Sequence, residues 1–290
     1  MNEVGVPLAR GFPFYPSVCH NLVSSTGPEL LTESPAMPTR PSVFVHLLPS
    51  LIPPGSLKGG VAVVVDVLRA TTAMIHALAS GVDAIVPCVE VEEARATAAS
   101  LGRGRAILGG ERQGLPIEGF DLGNSPSSYT PEVCRGKTLV MTTTNGTRAI
   151  HASLGADRVL IAAFPNLTAT SNLLASFAGP VHVVCAGTDG HVSYEDTLLA
   201  GAIVEGQAES GRFAGNDSAG IAVGFWFEKF DEMTAEGVDF LGSIVARGLG
   251  GRHVHGIGLG RDIEDAARVD VFDFVAELRR EPIRIERVSK

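Results

Sequence analysis

The sequence predicts an α/β fold: α/β/α layers around a mixed or mostly parallel sheet, made of two similar halves that arose by duplication. Short apolar runs alternate with segments whose apolar residues recur every three or four positions, as in strands joined by helices. The 290 residues include 34 glycines and only 6% aromatic residues, which favours α/β layers over a β-sandwich. The order of strands and helices also recurs once along the chain.

The domain is predicted to span residues 42–290 and to begin with the strand VFVHLL. Residues 1–41 are rich in proline and show little periodicity, so they are predicted to be a loosely packed or disordered extension. Removing them is expected to leave activity and melting temperature nearly unchanged.

Each predicted half contains three strands and two helices. In the first half, strands at 61–67, AIVPCV and 106–110 alternate with a helix from Ala70 and a helix over 90–100. Gly81 ends the first of these helices. In the second half, strands at 137–143, RVLIAAF and 181–187 alternate with a helix over 147–154 and a helix that opens at Asn166.

The two halves also correspond residue by residue. Aligning His76 with His151 places Thr72 opposite Thr147, and one gap then aligns Gly81 with Gly155. This predicts an internal repeat covering about 61–135 and 137–210, a period too long for a solenoid unit. The alternative is that two strand–loop–helix units resemble each other by composition alone.

The loops that follow the predicted strands are expected to meet, because ligands bind beyond the carboxyl ends of strands in open α/β sheets. These loops cover 66–72, 109–126, 142–147 and 186–196.

The first loop, DVLRATT, combines a carboxylate, a guanidinium and two hydroxyls. Asp66 follows a buried strand, and Arg69 offers a planar fork for an oxyanion. Thr71 and Thr72 stand where a helix N-terminus can hold phosphate. The competing interpretation is that the threonines only cap the helix.

The second and third loops supply further candidates. The glycine-rich second loop is too long for a simple connection, and it carries Glu111, Arg112, Asn124 and Ser125. The third loop, TTTNGT, can turn tightly and present successive N–H groups to an anion, or it can be an ordinary turn. Its candidate residues are Asn145, Gly146, Thr147 and the following Arg148.

The fourth loop contains SYED. Ser193 followed by Asp196 is the pattern of a capping box, so Glu195 and Asp196 are either acids at a helix start or metal ligands. His253 and His255 could share one face of a strand, but no third ligand accompanies them and a zinc site is not predicted.

Composition narrows the class of protein. The net charge of −9 and the lack of basic runs argue against nucleic acid as a partner. No apolar run is long enough for a membrane span, and the N-terminus does not resemble a signal peptide. The four cysteines are widely spaced, which indicates a cytoplasmic, reduced protein. The sequence leaves formation of a homo-oligomer open.

Together, DVLRATT, GGER, GFDLGNSP, TTTNGTRAI and CAGT…ED resemble blocks of the 2-phosphosulfolactate phosphatase (ComB-like) family, in order, from about Ser42 onward. The resemblance implies an Mg²⁺-dependent hydrolase that converts 2-phosphosulfolactate to sulfolactate and phosphate, a step of coenzyme M biosynthesis. The substrate is a small, anionic, phosphorylated organic acid. Non-hydrolytic alternatives are a phosphate- or sulfonate-binding sensor and a phosphosugar isomerase on the same fold.

Roles can then be assigned as expectations. Asp66, Glu195 and Asp196 are expected to hold Mg²⁺, with Asp66 as a covalent nucleophile being the alternative. Glu111 is expected to orient the attacking water. Arg69, Asn145, Thr147 and Arg148 are expected to hold the phosphate, and Arg112, Asn124 and Ser125 the carboxylate or sulfonate end of the substrate.

Overall fold

Apolar β-branched runs form the strands of one sheet. The computed structural model describes residues 42–236 and 240–288, so the predicted extension over residues 1–41 lies outside the described residues. The described residues belong to one compact unit. Its strands are β1 (Ser42–His46), β2 (Val61–Val65), β3 (Ala84–Cys88), β4 (Ala106–Arg112), β5 (Leu115–Pro116), β6 (Thr138–Thr142), β7 (Arg158–Ala162), β8 (Val181–Cys185), β9 (Phe213–Ala214), β10 (Val275–Arg280) and β11 (Ile283–Val288).

Helices follow most of the strands and cover the sheet. They are α1 (Ala70–Ala79), α2 (Val91–Leu101), α3 (Pro131–Cys134), α4 (Gly146–Ala152), α5 (Leu167–Ala175), α6 (Tyr194–Gly206), α7 (Asp217–Glu236), α8 (Phe240–Val245), α9 (Leu249–Gly256) and α10 (Gly260–Ala266). Within the described ranges, no helix is long and apolar enough to cross a membrane. His253 and His255 lie on α9, so the prediction that they share a strand face was wrong.

The strand order is β5-β4-β6-β3-β11-β10-β7-β2-β8-β1-β9. The strands β4, β6 and β3 are parallel to one another, as are β7, β2, β8 and β1, and the antiparallel β10–β11 hairpin lies between the two groups. The sheet is therefore mixed and mostly parallel, as predicted. The hairpin and the short edge strand β5, which pairs antiparallel with β4, account for the antiparallel part.

The central strand order is symmetric about the hairpin. Exchanging β2 with β6, β3 with β7, β4 with β8 and β10 with β11 reverses the order β4-β6-β3-β11-β10-β7-β2-β8 without altering it. The registers correspond too, because Val65 lies opposite Ala162 and Cys185 as Thr142 lies opposite Cys88 and Gly110. This arrangement is compatible with the predicted repeat, while the duplication itself stays a prediction.

Both faces of the sheet are buried, which produces the predicted α/β/α layers. Val61, Val63 and Val65 of β2 pack into the core beneath α6 and α7, whereas Ala62 and Val64 pack into the core beneath α1 and α4. Successive side chains of a strand point to opposite faces, so the uninterrupted apolar run VAVVV supplies both layers.

Candidate active site

A cavity of about 250 Å³ lies where the predicted loops meet. All four loops contribute to its wall, as the argument from strand ends predicted, and α9 closes one side. The lining residues are Asp66, Leu68, Arg69, Glu111, Gln113, Gly114, Asn124, Thr144, Asn145, Thr188, Asp189, Leu249, Gly250, His253 and Val254.

Asp66 is the buried carboxylate at the end of β2. Its Oδ1 accepts the N–H of Ala70 at 3.1 Å, and the hydroxyl of Thr71 closes the turn by donating to the Asp66 carbonyl at 2.9 Å. A Cβ at position 146 would lie 2.7 Å from Asp66 Oδ2, so Gly146 permits the close approach of the third loop. Burial, helped by Glu111 and Glu195, raises the pKa of Asp66 to about 7.

The corresponding turn after β6 begins with Thr143 and has similar hydrogen bonds, although the closing hydroxyl belongs to the fourth residue after it, where in the first turn it belongs to the fifth. Thr143 Oγ1 accepts the N–H of Thr147 at 3.1 Å, and the Thr147 hydroxyl donates to the Thr143 carbonyl at 3.0 Å. Asp66 thus occupies the position that a threonine fills in the other half. Oδ1 of Asp66 accepts an N–H as the Thr143 hydroxyl does, and the carboxylate has a second oxygen that the threonine lacks.

Glu111 and Asp196 hold corresponding loops in place. Glu111 Oε1 accepts the N–H of Thr144 at 2.7 Å, and its Oε2 accepts the N–H of Gly114 at 2.8 Å. Likewise, Asp196 Oδ1 accepts the N–H of Val67 at 2.8 Å, and its Oδ2 accepts the N–H of Gly187 at 3.1 Å. Each carboxylate therefore joins the turn after β2 or β6 to a neighbouring loop. Burial, with the nearby Asp66 and Glu195 carboxylates, raises the pKa of Asp196 well above its usual value.

Glu195 is almost completely buried beside the cavity. Ser193 caps α6 by accepting the N–H of Asp196 at 3.2 Å, which confirms the capping interaction predicted for SYED. The side chain of Glu195 lies against Gly248 and Gly250, where a Cβ would approach a carboxylate oxygen to 2.6 and 2.1 Å respectively. Glu195 Oε2 has no hydrogen-bond partner among the described residues, and burial raises the pKa of this carboxyl group.

Arg69 lines the cavity, and its guanidinium is bonded to two residues outside the cavity wall and to one within it. Its Nη1 lies 2.7 Å from Asp262 Oδ2 and donates to the Ser125 hydroxyl at 3.4 Å, while its Nη2 donates to the Gly114 carbonyl at 2.6 Å. The Ser125 hydroxyl in turn donates to Asp262 at 2.9 Å. Ser125 therefore supports Arg69 and is not part of the cavity wall.

Several predicted residues do not line the cavity. The hydroxyls of Thr71, Thr72 and Thr147 donate to backbone carbonyls inside the fold. The N-cap residue of α1 is Arg69, without a side-chain capping hydrogen bond, so the interpretation that Thr71 or Thr72 caps the helix was wrong. Arg112 donates to Glu111, Val89 and Thr142, and Arg148 is exposed outside the lining. The structure brings Asp66, Arg69, Glu111, Asn124 and Asn145 together in the wall, and ligand binding by the others stays a prediction.

The sequence reasoning missed the C-terminal part of the site. Residues Leu249 to Val254 come from α9, and Asp262 comes from α10, far along the chain from the motif loops. The glycine cluster GLGG at 248–251 was a usable signal, because close glycines permit close packing. Asp189 was overlooked within a loop that had been singled out, and its N–H donates to Asn145 at 3.2 Å.

The side chains predicted to bind Mg²⁺ can be compared with the ligands that this ion requires. No group of three or more His, Cys, Asp and Glu side chains is arranged to hold a metal ion in the part of the chain that the structure describes. Of the three predicted ligands, Asp196 uses both oxygens on backbone N–H groups. Asp66 Oδ2 and Glu195 Oε2 accept no backbone N–H from any residue that the structure describes. Carboxylate oxygens of this kind are chemically suited to Mg²⁺, which binds oxygen ligands and usually keeps several waters.

Comparison with known proteins identifies relatives over most of the chain. The model of a family described as 2-phosphosulpholactate phosphatase matches residues 46–281. A protein of Symbiobacterium thermophilum named "Probable 2-phosphosulfolactate phosphatase" is 44% identical over 64% of this chain and 80% of its own length. Proteins with the same name from Caldanaerobacter subterraneus and Caldicellulosiruptor saccharolyticus are 36% and 37% identical, over 79% and 77% of this chain and 91% and 90% of their own lengths.

Proposed function

Because the chain belongs to the 2-phosphosulfolactate phosphatase family, we propose that it hydrolyses the phosphate monoester of a small anionic hydroxy acid in an Mg²⁺-dependent reaction. The proposed substrate is 2-phosphosulfolactate, and the products are sulfolactate and phosphate, as in coenzyme M biosynthesis. The observation that carries the proposal is the buried carboxylate of Asp66 in a cavity lined by four loops. One of its oxygens has no backbone donor among the described residues.

The cavity wall is mostly negative, which supports the proposal that a cation is needed to bind an anionic substrate. The wall contains the carboxylates of Asp66, Glu111 and Asp189, and its one arginine, Arg69, is already paired with Asp262. A phosphate dianion would be repelled by this wall. Asp66 and Glu195 would hold Mg²⁺, which when bound neutralises phosphate charge as the ester bond breaks.

The remaining residues are proposed to bind and orient the substrate. Arg69 donates to phosphate oxygens through the N–H groups that Asp262, Ser125 and Gly114 leave free. Asn124 is buried in the wall, and its amide N–H groups are proposed to donate to the carboxylate or sulfonate end of the substrate. Side-chain amides fix the orientation of a small polar ligand within a cavity.

Glu111 is proposed to orient the attacking water. A carboxylate has about four lone-pair sites. Three of them accept the N–H groups of Thr144 and Gly114 and the Thr144 hydroxyl, which leaves one for water. The water oxygen bonds to phosphorus and the bond between phosphorus and the ester oxygen breaks. A proton from the water passes to the ester oxygen, which leaves as the hydroxyl of the hydroxy acid. Catalysis rests on positioning and charge stabilisation.

The decisive experiment measures release of inorganic phosphate from 2-phosphosulfolactate, 2-phospholactate and an uncharged-alcohol phosphate, with Mg²⁺ and with a chelator. We expect release that requires Mg²⁺ and is fastest with the sulfonate. Asp66→Asn should lower kcat/KM by about a hundredfold or more, because the variant loses charge at the reacting centre. The matched control is Asp83→Asn, at an exposed aspartate away from the cavity wall.

The outcomes separate the competing functions. Binding of these esters without phosphate release would favour the sensor, and an isomerised product that keeps its phosphate would favour the isomerase. Full turnover in Asp66→Asn would exclude Asp66 both as a metal ligand and as a nucleophile. The reaction is proposed to take place in the cytoplasm, in line with the unpaired, buried Cys88, Cys134 and Cys185.

A further inference from the structure

Asp262 is a buried carboxylate that the catalytic proposal does not use. It lies on α10, outside the cavity wall, and only 2% of its surface is exposed. Its Oδ2 accepts hydrogen bonds from two different loops, at 2.7 Å from Arg69 Nη1 and at 2.9 Å from the Ser125 hydroxyl. One oxygen atom of the C-terminal segment therefore holds two residues of the site.

Arg69 needs such a partner because its guanidinium is buried. The residue is 5% exposed, and an unpaired charge at this depth would be strongly unfavourable. The Gly114 carbonyl receives a hydrogen bond from the other terminal nitrogen, Nη2, at 2.6 Å. Partners on both nitrogens fix the plane of the guanidinium of this residue, which lines the cavity.

We propose that Asp262 is a positioning residue, which holds the Arg69 guanidinium and the Ser125 hydroxyl so that Arg69 meets the phosphate of the substrate in one orientation. The proposal rests on the proposed function, since it assumes that an anion occupies the cavity. The C-terminal helices thereby take part in the reaction, although α10 contributes no residue to the cavity wall.

A purely electrostatic role predicts the opposite result. If Asp262 only reduced the positive charge of Arg69, its removal would make the cavity more attractive to anions. A positioning role predicts that removal weakens phosphate binding and slows turnover. The sign of the change in phosphate affinity therefore distinguishes the two roles.

The experiment compares Asp262→Asn with Asp265→Asn in the full chain. Asp265 lies on the same helix and is buried to a similar degree, but its ion-pair partner is the exposed Arg261 at 4.0 Å. We expect Asp262→Asn to lower kcat by about tenfold and to weaken binding of inorganic phosphate in calorimetry, while Asp265→Asn stays near the original protein.

A double-mutant cycle shows whether Asp262 acts through Arg69. Arg69→Lys keeps the charge and loses the fork, so Asp262→Asn should cost much less in that background. Equal losses in both backgrounds, unchanged kinetics, or tighter phosphate binding with unchanged kcat would each overturn the proposal. Should Asp262→Asn fail to fold, Ser125→Ala removes one of the two hydrogen bonds to Asp262 and is expected to show a smaller loss of the same kind.

The proposed function and this proposal can fail separately. If the original protein releases phosphate and Asp262→Asn behaves identically, only the positioning role fails. If the original protein releases no phosphate from any ester, the proposed function fails. Calorimetry with inorganic phosphate then tests the positioning role of Asp262 by itself. Weaker phosphate binding in Asp262→Asn would support that role, whereas equal binding, tighter binding or no binding to either protein would refute it.

Discussion

At the scale of single residues, hydrogen bonds to the backbone determine which carboxylate oxygens of the site can still bind a ligand. Burial, with the nearby Glu111 and Glu195 carboxylates, raises the pKa of Asp66, and burial, with Asp66 and Glu195, raises the pKa of Asp196. Hydrogen bonds to backbone N–H groups occupy both oxygens of Glu111 and of Asp196. Asp66 and Glu195 each keep an oxygen that accepts no such bond.

Gly248 and Gly250, which lie against the Glu195 carboxylate, provide a test of its role. Gly250→Ala would place a Cβ 2.1 Å from Glu195 Oε1 and displace the carboxylate. We expect Mg²⁺ affinity and turnover to fall by roughly tenfold or more, as when groups that orient a metal ligand are lost. Metal titration by calorimetry measures the first quantity, and phosphate release the second.

The same helix offers the control. At Gly256, also in α9, a Cβ would meet nothing within 4 Å, so Gly256→Ala should leave both quantities unchanged. Unchanged Mg²⁺ affinity in Gly250→Ala would argue against Glu195 as a ligand.

At the scale of elements, the structure joins strand ends through side-chain carboxylates. Glu111 connects the end of β4 to the turn after β6, and Asp196 connects the start of α6 to the turn after β2. The two turns carry Thr144 and Asp66 into the cavity wall. The positions of the candidate catalytic groups therefore depend on these connections.

Glu111→Gln tests the connection after β4. The amide can accept at one position only, and its NH₂ would face either the Thr144 or the Gly114 N–H. We expect a loss of about 1–3 kcal/mol in the free energy of unfolding, together with reduced turnover. Urea denaturation and phosphate release measure the two effects.

Glu118 gives a matched substitution in the same loop. It is exposed, so Glu118→Gln should change neither stability nor turnover. If Glu111→Gln lost turnover at full stability, Glu111 would be purely catalytic, and if it lost stability at full turnover, its role with water would be excluded.

At the scale of the whole molecule, a buried histidine pair lies in the sheet away from the cavity. His46 of β1 and His182 of β8 are hydrogen-bonded through Nε2 and Nδ1 at 3.1 Å, and His182 stacks on Phe44. Burial, with a smaller effect of His46, lowers the pKa of His182 to about 4, and burial also lowers the pKa of His46. The folded protein therefore keeps the His182 ring neutral in mildly acidic solution.

Stability should depend on pH through this pair. Between the unfolded pKa of about 6.5 and the folded pKa, the unfolded chain binds a proton that the folded chain does not. The contribution of neutral His182 to stability is fully present above the unfolded pKa of about 6.5. It is lost as the pH falls from there to the folded pKa of about 4. We expect a loss on the order of 2 kcal/mol between pH 7 and pH 4 that is smaller in His182→Gln.

Thermal or urea unfolding across that pH range measures the difference between the two proteins. His255→Gln is the control, because His255 is exposed on α9. A pH dependence equal in His182→Gln and the original protein would show that the histidine pair does not contribute.

The sequence alone determined the α/β class, the strands of the two halves and the four loops of the site. These features are encoded locally: VAVVV must be buried on both faces, and each following loop changes abruptly to Asp, Thr, Asn and Gly. The family blocks occur in the same loops, so Asp66, Arg69, Glu111, Asn124 and Asn145 could all be named before the structure and lie in the cavity wall.

Only the tertiary structure showed which of these residues have polar atoms without a hydrogen-bond partner. It also showed which residues from distant parts of the chain lie beside them. Thr71, Asp196 and Arg112 have the right chemistry for a phosphate or metal site, but their polar atoms are bonded to groups that only folding brings near. Asp262 is distant from Arg69 in sequence and adjacent in space. Hydrogen bonds act over about 3 Å, so their assignment depends on three-dimensional distance, which local sequence patterns do not encode.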